Sequence, residues 1–265
     1  MTPDEIHAEI VRKPEAEWTP LERAFVVERA RRPAVMLVPT EKPDDPGAPG
    51  CWLSGKPTLP AEIPWPHFMH NGEIFEDVPL HFFAQLNLAH VPWLASCPEM
   101  PRTGTLFFFA DMVFPHNGPY PGCAKVIYVD DDVSQCAPRD MPPVTFADMK
   151  AVRSGWQHRG PLPPRWNLSF LVYDTFTEQH SCTVIANGES LENNVRLTGV
   201  DYYHYFLGSE TLGFPEDINS EMILLLFISQ SGDRVVDTVL GDLIFWIERR
   251  HLIEKDFSHV LTTEI

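Results

Sequence analysis

A glycine-rich segment holds most of the residues that a nucleotide site would need. Residues 50–56, GCWLSGK, match the first seven positions of a phosphate-binding loop, in which backbone amides and the lysine hold the phosphates. The eighth residue, whose hydroxyl would hold magnesium, is Pro57, and prolines at 60, 64 and 66 exclude the long helix that should follow. The segment therefore predicts a proline-rich loop and not a nucleotide site.

A carboxylate, an imidazole and a thiol lie close together in sequence at Asp174, His180 and Cys182. These are the residue types of a cysteine nucleophile with its base and orienting acid, and they lie on or beside predicted strands. Sequence spacing alone does not bring them into contact, and cysteine is commonly a small buried apolar residue. We favour a structural role for them.

Two other groups have the residue types of metal ligands. His67 and His70 could hold a metal from a helix, but their proline-rich context is not helical and no third ligand is indicated. Residues 130–132 are consecutive aspartates without the alternating oxygen ligands and glycine of a calcium loop. The sequence also contains no Gly-x-Ser-x-Gly, His-Glu-x-x-His or Gly-x-Gly-x-x-Gly motif. We expect no catalytic residue, no metal and no other cofactor, and an enzyme stays open as an alternative.

One predicted strand, residues 81–88 with the sequence HFFAQLNL, has an unusually polar face. Gln85 and Asn87 share the face of the odd-numbered positions, and the even-numbered positions of the other face are apolar. The two amides either satisfy backbone groups of the preceding proline-rich loop, which we favour, or line a cleft that receives a ligand.

The elements that must position these residues change in type along the chain. Residues 2–5 and 19–22 each start a helix with a capping hydroxyl and a proline at the first helical position, and residues 29–32 form a basic last turn for the second helix. Beyond them the apolar runs are short and rich in aromatic and β-branched residues. The predicted strands are Ala34–Val38, His81–Leu88, Thr105–Phe109, Lys125–Val129, Leu168–Tyr173, Cys182–Ala186, Met222–Ile228 and Leu243–Ile247.

Helices are few in the rest of the chain, and we predict short ones near Thr145–Val152, Ser190–Val195 and His251–Ser258. The long crossover helices that parallel sheets require are missing. We therefore predict an α+β fold with a largely antiparallel or mixed β-sheet. It consists of an N-terminal helical extension, residues 1–32, and a single globular unit, residues 33–265.

The chain is strongly acidic. Its 37 Asp and Glu against 20 Lys and Arg give a formal net charge of -17, and residues 1–32 account for only -1 of it, which leaves -16 on the remainder. Such a charge disfavours nucleic acid and anionic membranes and favours a basic protein partner, or else it serves only solubility. No apolar run could span a membrane and no signal peptide is present, so we expect a cytoplasmic protein. The five cysteines are odd in number and widely spaced, which predicts free thiols.

Four segments together resemble the YwqG-like family, which consists of bacterial domains of unknown function. They are SGKPTLP with Trp65-Pro66, FAQLNL at 83–88, PRTGTLFF at 101–108 running to Asp111, and residues 224–257 with Gly241-Asp242 and Phe245-Trp246-Ile247. Ser54 stands where the family usually has a glycine, and Leu240 stands where it has a tryptophan. The resemblance implies an α+β fold and a cytoplasmic bacterial protein, and it brings no established catalytic residues. Members resemble companions of secreted toxins in some genomes, which implies an immunity or partner-binding role as one option.

Two hypotheses for function come from these observations. The first is a non-catalytic module whose acidic face binds a basic protein, in one version a toxin that it neutralises. The second is an enzyme or small-ligand binder with a cleft beside the Gly55–Pro66 loop. Its polar lining would come from residues in or beside the family-like segments: Gln85, Asn87, Asp111, His204 and Asp242.

Overall fold

The computed structural model describes most of the strand-forming parts of the chain. The described residues are 1–40, 42, 45–68, 78–110, 124–143, 164–176, 185–186, 189–190, 204–207, 222–228 and 243–264. The predicted helix at Thr145–Val152 lies outside them. Within the described part, no helix has both the length and the apolar character needed to cross a membrane.

Short strands dominate the described chain. They are β1 (Arg31–Pro39), β2 (Trp52–Leu53), β3 (His67–Phe68), β4 (Val78–Pro79), β5 (His81–Asn87), β6 (Thr105–Ala110), β7 (Ala124–Val129), β8 (Trp166–Phe176), β9 (Ile185–Ala186), β10 (Glu189–Ser190), β11 (His204–Phe206), β12 (Met222–Ile228), β13 (Leu243–Glu248) and β14 (Leu261–Glu264). Ten of them form one sheet in the order β14-β13-β12-β11-β1-β8-β2-β5-β6-β7, and β3-β4 and β9-β10 form two small ladders. Every described pairing is antiparallel.

The helices of the described residues are short and few, which together with the antiparallel sheet confirms the predicted α+β class. They are α1 (Pro3–Ile10), α2 (Pro20–Ala30) and α3 (Arg249–Ile253), with 3-10 turns at Glu15–Glu17 and Phe257–His259. Both N-terminal starts have reciprocal caps, since Glu5 N donates to Thr2 Oγ1 at 3.3 Å and Glu22 N donates to Thr19 Oγ1 at 3.2 Å.

Three predicted elements differ from the structure. Arg31 and Arg32 do not end α2 but begin β1, because there they pair with Phe176 and Thr175 of β8. Ser190 lies in β10 and not at a helix start, and the rest of that predicted helix lies outside the described residues. The predicted helix at 251–258 is broken at Lys255, whose positive φ of 56° reverses the chain between α3 and the 3-10 turn.

The sheet bends so that its two ends face each other across the main core. We call β2, β5, β6 and β7 the N-half and β11 to β14 the C-half; β1 and β8 join them. Phe108 of β6 and Phe245 of β13 meet edge to face with ring centroids 5.2 Å apart. Both belong to the largest buried cluster, which also includes Val35 and Leu37 of β1. The bend therefore gives the two halves a shared interior.

Smaller apolar clusters cover the outer faces of the same strands. Phe107 and Phe109 of β6 lie outside the main core and pack with Leu59 and Trp65 of the proline-rich loop and with Leu80 between β4 and β5. On the C-half, Ile244 and Trp246 pack with Ala34, Met36, Met222, Leu224 and Phe227. Strands buried on both faces explain why their sequences are nearly continuous apolar runs.

The 3-10 turn Phe257–His259 contacts the N-half just before the chain enters β14 of the C-half. Phe257 is buried in the main core, and its ring centroid lies 5.5 Å from that of Tyr128 on β7. β7 and β14 are the two end strands of the described sheet. The turn thus closes part of the space between them.

We expect Phe245→Ala to lower the free energy of unfolding by about 3–5 kcal/mol, because it opens a cavity where the two halves meet. Chemical denaturation followed by circular dichroism measures this. Leu171→Ala on β8 is the control, since Leu171 is exposed, and we expect it to cost less than about 1 kcal/mol. Equal losses for the two variants would contradict a core built from both halves.

Candidate functional site

Gln85 lies on β5 and is 1% exposed. Its Oε1 accepts hydrogen bonds from Thr58 N at 2.9 Å and from Thr58 Oγ1 at 3.1 Å, and its Nε2 donates to Gly50 O at 3.4 Å. The amide oxygen is therefore occupied by the loop between β2 and β3, and the amide nitrogen by the loop that precedes β2. This agrees with the loop-supporting interpretation of Gln85.

Residues 50–56, which match part of a phosphate-binding loop in sequence, form a short strand and a turn in the structure. Residues 52 and 53 form β2, which pairs with both β5 and β8. Ser54 and Gly55 turn the chain with φ of 57° and 72°, a backbone conformation that favours glycine. Lys56 Nζ forms an ion pair with Asp140 Oδ1 at 2.7 Å. The segment continues without a helix to Pro66, so nothing here presents a helix N-terminus to phosphates.

Asn87, at the end of β5, closes the turn that follows. Its Oδ1 accepts a hydrogen bond from Ala89 N at 3.1 Å. Asn87 N donates to Cys51 Sγ at 3.3 Å, and burial raises the pKa of the Cys51 thiol to about 12. Cys51 is thus a protonated structural thiol at neutral pH, and both Cys51 and Cys97 are free and buried as predicted.

The other three residues of the predicted lining lie wholly or partly outside the described residues. Asp111 and Asp242 lie outside the described residues, as does the side chain of His204. The backbone of His204 pairs with Ile228, and β1, β8 and β2 separate its strand from β5 in the sheet order. His70, His180, Cys182 and the side chain of Asp174 also lie outside the described residues.

The three aspartates at 130–132 form an exposed, hydrogen-bonded turn after β7. Asp130 Oδ1 accepts from Tyr128 Oη at 2.7 Å, and burial together with this carboxylate raises the pKa of Tyr128 to about 12. Asp132 accepts from Ser134 N at 2.8 Å and Ser134 Oγ at 3.0 Å. The segment is therefore a surface turn held by its own hydrogen bonds. Asp131, between them, is exposed.

A surface groove that the sequence did not indicate lies beside this turn. The loop between β5 and β6 contributes Leu88, Val91, Trp93 and Met100, and the C-half contributes Phe206 and Leu207; together they line a cavity of ≈ 170 Å³. Trp93 is 46% exposed. We call this the Trp93 groove.

A cation lies over the ring of Trp93. The guanidinium carbon of Arg102 is 4.3 Å from the ring centroid, within the range of a cation–π contact. The next residue, Thr103, donates from Oγ1 to Asp130 Oδ1 at 3.5 Å, so the acidic turn is joined to the loop of the groove. The groove therefore has an apolar floor, one stacked cation and neighbouring carboxylates.

The only local sign of this groove is the dipeptide Pro92-Trp93 in a segment without strand or helix periodicity. An exposed tryptophan in such a loop is a recognisable binding signal. The lining from Phe206 and Leu207 is distant in sequence, so it could not be inferred without the sheet order.

The family comparison covers most of the chain. A family model described as "Domain of unknown function (DUF1963)" matches residues 52–264. No curated protein matches the chain. The two N-terminal helices and β1 precede the matched range.

We expect Gln85→Leu to lower the free energy of unfolding by about 1–3 kcal/mol, because Thr58 N would be left buried without an acceptor. Urea titration measures the loss. Gln135→Leu makes the same chemical change on an exposed turn, and we expect it to stay within about 0.5 kcal/mol of wild type. A neutral Gln85→Leu would refute the supporting role.

Proposed function

This chain belongs to the DUF1963 family of domains of unknown function, and we propose that it acts as a non-catalytic protein-binding module that docks a basic partner at the Trp93 groove. The observation that carries the proposal is a half-exposed tryptophan, stacked under Arg102, at the mouth of an apolar cavity. Tryptophan and arginine are the residue types most enriched among binding hot spots.

The groove suits one inserted apolar side chain of a partner. Its volume of ≈ 170 Å³ is below the range of about 300–1,000 Å³ usual for small-molecule sites. Its lining side chains are apolar except for Arg102, and the described residues place no pair of convergent polar side chains within it. These features support a docking site for a protein surface in preference to an enzyme pocket.

The charge of the chain supports a basic partner. The net charge is -17, and exposed Asp131 lies in the turn that Asp130 joins to the groove loop. Carboxylates next to an apolar groove attract a basic surface at long range, while the groove contributes most of the affinity after contact. The Arg102 guanidinium stacks on the Trp93 ring and contributes flat contact area beside the groove.

The basic partner can be specified further. We infer a cytoplasmic role in which the partner is a basic toxin that this protein neutralises. The YwqG-like resemblance supports this version, since members of that family resemble companions of secreted toxins. The excess of acids over bases, 37 against 20, agrees with it.

A cleft beside the Gly55–Pro66 loop is the less favoured alternative. Gln85 has its amide oxygen occupied by Thr58, and Asn87 uses its side-chain oxygen on Ala89. The side-chain oxygens of these two lining residues are therefore already engaged within the protein.

We expect Trp93→Ala to raise the Kd for the partner about 30-fold, the equivalent of a 2 kcal/mol hot spot. The partner is first captured from the source cell at low salt on the immobilised full chain, identified, purified and shown to be basic. Calorimetry with the purified partner then compares the wild type and the variant. Leu21→Ala removes an apolar side chain that is 81% exposed on α2 and serves as the matched control.

Electrostatic attraction gives a second measurement on the same complex. We expect Asp131→Asn to slow association at low salt and to leave dissociation nearly unchanged, because a charge at the rim steers encounter. An unchanged Kd for Trp93→Ala, or the absence of any basic protein retained at low salt, would refute the proposal.

A further inference from the structure

Two imidazoles and one carboxylate converge where the chain passes from β13 to β14. The residues are His251 in α3, Asp256 before the 3-10 turn, and His259 at its end. Each offers one ligand atom, and these atoms all lie within 4.8 Å of one another. His259 Nε2 and Asp256 Oδ2 are 3.4 Å apart, a separation that two ligands of one transition-metal ion can have.

The chain reversal at Lys255 creates this cluster. In a continuous helix, residues eight apart would be separated by about 12 Å along the axis. Lys255 has φ of 56°, and the chain turns back so that the rings of His251 and His259 stack with centroids 4.1 Å apart and planes at 14°. The stack holds both rings at one place on the surface.

His251 is available as a ligand. It is half-buried, and its Nδ1 is buried without a hydrogen-bond partner among the described residues. An imidazole nitrogen is a usual ligand of transition-metal ions. His259 is exposed, so its ring has room to turn its lone pair toward a shared ion.

The two carboxylate oxygens of Asp256 have different neighbours. Oδ1 accepts hydrogen bonds from Ser258 N at 3.1 Å and from Ser258 Oγ at 2.5 Å, which fixes the carboxylate at the start of the 3-10 turn. Oδ2 faces His259. One oxygen is thus positioned by the backbone while the other remains for a cation, an outer-sphere support that is usual for metal-binding carboxylates.

The cluster adjoins a cavity between the end strands of the sheet. The cavity has a volume of ≈ 640 Å³, and its lining includes His259 and Leu261 on one side, Ala124 and Lys125 of β7 on the other, and Trp65. An ion held by three protein ligands at this edge would keep at least one coordination position for water or another small ligand.

We propose that His251, Asp256 and His259 form a binding site for a divalent transition-metal ion of the zinc class. Two imidazole nitrogens and one carboxylate oxygen suit Zn²⁺, Co²⁺ and similar ions, whereas Mg²⁺ and Ca²⁺ prefer sites made entirely of oxygen. This site lies apart from the Trp93 groove and does not depend on the proposed docking function.

We expect the metal-free full chain to bind one equivalent of Zn²⁺ in isothermal titration calorimetry, with His259→Gln and Asp256→Asn each weakening the affinity at least about tenfold. Asparagine keeps the oxygen that accepts from Ser258, so Asp256→Asn preserves the turn. His90→Gln alters an exposed histidine on another loop and should bind Zn²⁺ like the wild type. Thermal melts in chelator show whether each variant folds, and Zn²⁺ should raise the midpoint of the wild type but not that of His259→Gln.

Titration with Co²⁺ provides a spectroscopic readout. Nitrogen and oxygen ligands should give visible d–d bands without the near-ultraviolet charge-transfer band of a thiolate ligand. His251→Gln should abolish the visible bands. If His251→Gln also lowers the thermal unfolding midpoint in chelator, the loss of bands is instead judged from His259→Gln, because His259 is exposed. Wild-type Zn²⁺ affinity in both His259→Gln and Asp256→Asn, no Zn²⁺ binding by the wild type, or a thiolate band would each overturn the proposal.

Discussion

The apolar contact between the two halves of the sheet determines where every other feature of the molecule lies. Phe108 and Phe245 belong to strands separated by six others in the sheet order, yet their rings are in contact. Burial of the apolar face they share is the main favourable contribution to folding, and it requires the sheet to bend until its halves meet. Loops that leave the strands in different parts of the sequence then become neighbours.

Both proposed sites lie where loops of the two halves come together. The Trp93 groove takes its lining from the loop between β5 and β6 and from Phe206 and Leu207 of the C-half. The histidine cluster lies at a cavity shared by β7 and the start of β14. An ion pair between Glu99 of the groove loop and Arg249 of α3 also crosses between the halves, with N–O distance 2.5 Å. The segment that carries Trp93 is thus tied directly to the helix that carries His251.

Local sequence patterns predicted the features that depend on neighbouring residues. Apolar runs such as Met222–Ile228 form strands, because a short run without polar residues suits a strand that is buried on both faces. The polar position of Gln85 within an apolar strand indicated a supporting hydrogen bond, which Thr58 provides.

Features that depend on distant residues or on backbone geometry were not predictable from those patterns. β11 is only three residues long, so it gave no periodic signal, although Phe206 is fully buried. His251 and Asp256 fell within a predicted helix and His259 came directly after it, and the left-handed conformation of Lys255 brings the three together. A lysine carries no strong preference for that conformation, so the break could not be foreseen.

The position of β1 inside the sheet determines which residues the folded domain must include. Residues 31–39 precede the part of the chain that the family model matches, yet β1 pairs with β8 along its whole length and with β11 on its other side. Without it, two strands would present unpaired backbone edges in the middle of the molecule, where they would invite association with other chains. The region that the family model matches, residues 52–264, is therefore shorter than the region needed to complete the ten-stranded sheet, which also requires β1.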